Sequence, residues 1–226
     1  MAGDTAHHLG RVLRAVPGQL YELSDGHRVW LARIEEVKRD RVEFSLIEEL
    51  PSPPPALQSV VLLSIVKFDA FELALEKATE LGVSTIVPVD AARSEKSLLA
   101  AAPKRAERWK KILLEASQQS RRLRVPELAP LTESAATFSS HSGRLKFLFS
   151  ERPVARSLRS ILEKQNAITA VVLAIGPEGG WTDAEFQHAE THGFREVSLG
   201  RLILRTETAV IAALASLNYA LASQES

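Results

Sequence analysis

The sequence predicts an α/β fold: a largely parallel sheet with helices on both faces, preceded by a small β-rich unit. Three observations predict it. From Leu57 onward, short apolar runs alternate with helix-period segments, the signature of strands covered on both sides. Before that point the hydrophobic period is two rather than 3.6. Between the two regimes stands Pro51-Ser52-Pro53-Pro54-Pro55, through which neither a helix nor a central strand can continue.

At the N-terminus, Leu9, Val12, Leu13 and Val16 recur at helical spacing, so a helix is expected over 4–16, capped by Asp4 or Thr5 and stopped by Pro17-Gly18. Strands follow at Gln19–Leu23, Val29–Ile34 and Arg41–Ile47, the first two joined by a Ser24-Asp25-Gly26 turn. The boundaries are therefore placed at 1–50 for the β-rich unit, 51–56 for a stiff linker and 57–226 for the α/β domain. In that domain Val60–Val66 is a buried strand, Asp69–Leu81 an amphipathic helix ended by Gly82, and Thr85–Val89 a second strand. A long helix is expected over 103–120 with Pro103 in its first turn, where the missing N–H costs nothing. Leu145–Phe149 and Ala170–Ile175 are further strands, with a helix near 154–164 between them. Thr182–His192 carries a Thr182/Glu185 capping box and stops at Gly193. Val197–Leu199 is the last strand, and a final helix runs from Glu207 to about Ala222, capped by Thr206.

Composition narrows the function. An apolar fraction of 45% in 226 residues suits a packed core, and a formal net charge of zero means that any nucleic-acid surface must be local. With no cysteine there is no disulfide, thiol nucleophile or Cys-type zinc site. The start lacks the basic flank and apolar core of a signal peptide, and the longest apolar run, Ala209–Leu217, is too short to span a bilayer. A cytoplasmic protein without a membrane partner is the expectation. His188 and His192 have metal-pair spacing but no evident third ligand, so no metal is expected. There is no Gly-x-Ser-x-Gly elbow.

Chemistry concentrates in two stretches of one plan: strand, glycine-containing loop, helix. The first is Ile175-Gly176-Pro177-Glu178-Gly179-Gly180-Trp181-Thr182, which has neither the glycine spacing of a Rossmann fingerprint nor the Lys-Ser/Thr of a P-loop. The second is Leu199-Gly200-Arg201-Leu202-Ile203-Leu204-Arg205-Thr206-Glu207-Thr208-Ala209. A tight turn alone explains the first, and capping explains only Thr206 and Glu207 of the second. Together they make a slot walled by backbone amides and small side chains, suited to a flat polar cofactor. Around them, Lys104, Arg105, Arg108, Lys110, Lys111, Arg121, Arg122 and Arg124 face only Glu107 and Glu115 in the same stretch, and Arg11 and Arg14 lie one turn apart, positions fit for phosphate contacts.

These two motifs resemble those of the bacterial 16S rRNA uracil-N3-methyltransferases of the E type, members of the SPOUT superfamily of knotted, S-adenosylmethionine-dependent enzymes. The likeness continues through His8-Leu9-Gly10-Arg11-Val12-Leu13-Arg14, Lys77-Ala78-Thr79-Glu80-Leu81-Gly82-Val83, Arg93-Ser94, Arg108-Trp109 and Glu115–Arg122. It departs at Ala70, where a Lys is common, at Leu202, where an Arg is common, at Gln118 in place of a Glu, and in having little ahead of His8.

The resemblance implies a PUA-like β-barrel for RNA, a SPOUT domain ending in a trefoil knot, and a homodimer acting on 16S rRNA or the small ribosomal subunit. It carries cofactor contacts to Ile175, Gly176, Pro177, Glu178, Gly180, Leu199, Leu204, Arg205, Thr206 and Ala209. It implies RNA contacts at Arg11, Arg14, Arg93, Gln119 and Arg122, and places Arg205 and Glu207 at the reaction. Uracil N3 holds a proton at neutral pH and lies on the pairing edge, so the target must be unpaired and deprotonated. The residues do not name the base. A different RNA target, or an RNA-binding protein without turnover, stays open on the sequence alone.

Overall fold

The structure is a computed structural model that describes residues 1–26, 28–51, 57–141, 145–163 and 168–222. The proline-rich stretch 52–56, Lys164 at the expected end of a helix, and the side chains of the expected caps Asp4 and Thr5 lie outside that description. The chain forms two compact units, Met1–Pro54 and Pro55–Ser226.

In the first unit α1 (Asp4–His7) runs into a π-helical turn over His8–Val12. Strands β1 (Leu20–Ser24), β2 (Val29–Val37) and β3 (Val42–Leu50) form an antiparallel three-stranded sheet in that order. Ala6, Leu9, Ala15, Ile34 and Val42 make its core. The single helix expected over 4–16 is not formed. Only Leu9 of the periodic positions is buried, whereas Val12, Leu13 and Val16 are 62%, 54% and 51% exposed. Gly10 lies within the widened turn, where a Cβ would stand 3.3 Å from Val37 Cγ1. Arg14, at φ 50°, then ends the segment.

The second unit is built on an eight-stranded sheet in which every pairing is parallel. Its elements are β4 (Gln58–Ser64), α2 (Phe68–Glu80), β5 (Thr85–Asp90), α3 (Lys96–Gln119), β6 (Glu127–Leu128), β7 (Thr132–Glu133), α4 (Ser134–Ser139), β8 (Leu145–Phe149), β9 (Arg156–Ser157), α5 (Leu158–Leu162), β10 (Ala170–Ile175), α6 (Asp183–Thr191), β11 (Arg195–Ser198) and α7 (Thr206–Ala222). The strand order is β6-β5-β4-β10-β8-β11-β9, with β7 also on β5. Alternation splits the core between two faces. Val61 and Leu63 of β4 and Val171 and Leu173 of β10 pack with Phe71 of α2, Trp109 of α3 and Val210 and Leu214 of α7. Val60, Leu62, Val172 and Ala174 point the other way, toward Phe138 of α4 and Ala189 of α6. Two-sided burial is why these strands read as unbroken apolar runs.

Two helices differ from expectation. α3 begins at Lys96, with Pro103 inside it. Leu98, Leu99 and Ala102 all pack on the core, so burial carries the helix across a residue that lacks an N–H. α5 is shorter than expected because Arg156–Ser157 is drawn into the sheet as β9, beside β11.

Candidate functional site

The register of the central strands brings three chain ends to one edge of the sheet. Ala174 of β10 pairs with Leu148 of β8, and Val197 of β11 pairs with Phe149. Phe149, Ile175 and Ser198 therefore finish close together, at the carboxyl edge where open parallel sheets bind ligands. The segments leaving them wall a shallow, solvent-open cleft of about 80 Å³.

The glycine loop is built from its own residues. Gly180 N–H donates to the Pro177 carbonyl at 2.8 Å, and Gly180 takes φ 67°, a left-handed value that glycine adopts without strain. Gly176 is required by contact instead: a Cβ there would stand 3.1 Å from Trp181 Nε1 and 3.2 Å from Cε2. Trp181 is buried at the cleft wall, against Phe138 with ring centroids 5.5 Å apart, and its Nε1 has no hydrogen-bond partner among the described residues. Thr206, expected as the cap of the last helix, uses its Oγ1 differently: it donates to the Gly176 carbonyl at 3.1 Å and ties the second loop to the first.

Of the residues expected at a cofactor, Ile175, Gly176, Pro177, Glu178, Gly180, Leu199, Leu204, Thr206 and Ala209 line this cleft. Arg205 and Glu207 do not; Arg205 is exposed and Glu207 half-buried, on either side of Thr206. The sequence reading misses Ser150 and Glu151, which enter from β8, as well as Trp181 and the 79% and 81% exposed Leu202 and Ile203. Apolar walls, backbone polar groups and an unpartnered indole N–H fit a nucleoside cofactor.

The loop between β5 and α3 holds the glycine loop from outside. Arg93 Nη1 donates to the carbonyls of Gly179 at 2.7 Å and Trp181 at 3.2 Å. Buried Glu185 accepts from Ala92 N–H at 3.0 Å through Oε1, and from Thr182 N–H at 2.9 Å and Oγ1 at 2.8 Å through Oε2. Burial alone raises this carboxyl's pKa, but those backbone donors and the hydroxyls of Thr182 and Ser134 outweigh it and hold it below the usual carboxylate value.

The other expected RNA residues fall in both units. Arg11 and Arg14 are exposed in the first unit, where Arg11 lines a small cavity with His7, Lys38 and Arg39. Gln119 is exposed at the end of α3. Arg122 is half-buried, its Nη1 and Nη2 donating to the carbonyls of Thr79 and Val83, both at 2.7 Å, and burial lowers its pKa. The basic stretch is also less positive than its composition suggests. Arg105 and Arg108 share Glu72, at 3.2 and 2.7 Å, while Lys110 meets Glu107 and Lys111 meets Glu115. His188 and His192 stack with ring centroids 4.3 Å apart, and His188 Nε2 lies 3.0 Å from the Ala135 carbonyl.

Comparison with known proteins gives the same picture. A family model described as an RNA methyltransferase domain matches residues 53–218, and one described as an RNA methyltransferase PUA domain matches residues 2–47. Ribosomal RNA small subunit methyltransferase E of Synechocystis sp. is 34% identical over 224 residues, 96% of this chain and 71% of that protein. Its namesake in Bacillus subtilis is 31% identical over 237 residues, covering 97% and 89%. The crystal structure of ribosomal RNA small subunit methyltransferase E from Neisseria gonorrhoeae bound to S-adenosyl methionine superposes with a TM-score of 0.86 at 33% identity, covering 97% of this chain and 90% of that one. A Legionella pneumophila methyltransferase in complex with bound SAM gives 0.85 at 30% identity, with the same coverage.

Proposed function

Since the chain belongs to the RNA methyltransferase family, with the family's PUA domain ahead of its methyltransferase domain, we propose that it methylates N3 of a uridine in 16S ribosomal RNA, using S-adenosylmethionine. One observation carries the reading. The two glycine-containing loops converge at the carboxyl edge of the sheet, linked by the Thr206–Gly176 hydrogen bond, in a chain whose solved relatives carry this cofactor.

Bound in the cleft, the cofactor supplies a methyl group on a sulfonium, a good leaving group that needs no metal. The chain's part is placement. Backbone groups of 176–180 and the apolar walls at Leu199 and Leu204 fix the donor, and a near-attack pose supplies much of the rate. Arg205 and Glu207 stand outside the lining on either side of Thr206, and are assigned to the RNA base. Glu207 accepts the N3 proton and Arg205 stabilises the anionic ring. Arg11, Arg14 and Gln119 are assigned to RNA. The homodimer and the trefoil knot belong to the same reading. The 79%, 81% and 80% exposure of Leu202, Ile203 and Tyr219 supports a partner surface. No helix among the described residues is long and apolar enough to cross a membrane, in keeping with a cytoplasmic site of action.

The test is methyl transfer from labelled S-adenosylmethionine to unmodified small ribosomal subunits, followed by nucleoside analysis. N3-methyluridine at one position is the expected product. A different methylated nucleoside would move the target, and cofactor binding without transfer to any RNA would leave a binding protein.

A further inference from the structure

We propose that Arg93 is a positioning residue of the cofactor site. From the β5–α3 loop it locks the glycine loop 176–182 into the shape that receives S-adenosylmethionine, rather than serving as a phosphate contact. The inference rests on the cleft being the cofactor site.

The two carbonyls that Arg93 Nη1 engages belong to Gly179 and Trp181, on either side of Gly180. Gly180 has φ 67°, and a glycine there leaves the free chain many alternatives. A guanidinium shared between its flanking carbonyls selects one of them, with bonds about twice as strong as neutral ones. The Arg93 stem also explains the residue at 179. A Cβ on Gly179 would stand 3.3 Å from Arg93 Cβ and 3.4 Å from Cδ. Gly179 is absent from the positive-φ residues, so close approach of Arg93, not backbone freedom, requires glycine there.

The base of this clamp is itself fixed. Ser94 is 8% exposed, and its Oγ donates to the Ile65 carbonyl at 2.8 Å, just beyond β4. Ala92 N–H is held by Glu185 at the start of α6. The loop over 91–94 thus bridges the end of β4 to the C-terminal half of the glycine loop and the start of α6. The cofactor then meets a loop already ordered, and binding does not bear the cost of ordering it.

The test uses the full chain and measures S-adenosylmethionine affinity by calorimetry, and affinity for unmodified small ribosomal subunits with cofactor saturating. Arg93→Ala is expected to weaken cofactor binding roughly tenfold, and Arg93→Lys to recover part of that loss. Gly179→Ala should weaken binding too. The double variant should lose less than the product of the single losses, because both act through one clamp. RNA affinity and its salt slope should match wild type. Arg93→Ala or Arg93→Gln binding the cofactor as tightly as wild type would overturn the inference. So would unchanged cofactor affinity with a salt slope shallower by about one, the mark of a lost phosphate contact. A wild-type chain that binds no S-adenosylmethionine would instead remove the cofactor reading itself.

Discussion

Gly176 shapes the cleft through an atom it lacks. With a Cβ 3.1 Å from Trp181 Nε1, Gly176→Ala must push the indole off Phe138 or distort the loop. Cofactor affinity is expected to fall more than roughly tenfold, measured by calorimetry, with the far-ultraviolet circular dichroism unchanged. Arg122 makes the opposite point, a charged residue used for structure. Its two carbonyl bonds close the end of α2, so Arg122→Ala leaves the Thr79 and Val83 carbonyls without these donors. A loss of about 2 kcal/mol in urea unfolding is expected, at unchanged m. Sequence reading places Gly176 at the cofactor because the glycine loop is local. The charge of Arg122 is visible in the sequence, whereas the Thr79 and Val83 carbonyls that its guanidinium holds are not.

At the scale of elements, α6 shows which features a sequence reveals. The capping box forms as expected, Thr182 accepting from Glu185 N–H at 3.3 Å while Glu185 reaches back to Thr182 N–H. Both partners lie three residues apart, so no long-range knowledge is needed. Thr182→Ala should cost about 1 kcal/mol in denaturant unfolding. The bond of Glu185 to Ala92, 93 residues away, is not legible in the sequence. Nor is the placing of β8 between β10 and β11, which brings Ser150 and Glu151 to the cleft. The strand bounds Leu145–Phe149 and Ala170–Ile175 can be read directly, but the order of strands is a tertiary fact. Two-residue β6, β7 and β9 are held by their neighbours and have no pattern of their own to read. The bonds of Glu185 have a pH consequence. Its folded pKa is depressed, so its stabilisation is present above the unfolded value near 4.3 and is lost as pH falls through the folded one. Between neutral and about pH 3, the urea midpoint of wild type should therefore fall more steeply than that of Glu185→Gln.

At the scale of the whole molecule, a formal net charge of zero leaves ligand selection to local fields. The charged side chains lining the cleft are Glu151 and Glu178, and among the described residues no Lys, Arg or His lines it. The two forms of the cofactor differ in charge at this place. S-adenosylmethionine carries a sulfonium, and its demethylated product a neutral thioether, so carboxylates lining its cleft are expected to favour the methyl donor over the product. Two unit charges a few ångströms apart interact by about 1 kcal/mol in water. Both glutamates are exposed, so screening trims that figure. Glu151→Gln and Glu178→Gln are each expected to shift the ratio of product affinity to donor affinity about threefold toward the product at low salt. The double variant should shift it by nearly the product of the two, and raising the salt to about 0.5 M should remove most of the effect. Competition calorimetry with the two ligands reads the ratio directly, without any RNA. A ratio unmoved by both substitutions at low salt would mean that the sulfonium lies beyond the reach of either carboxylate, and that the loop's backbone dipoles alone discriminate donor from product.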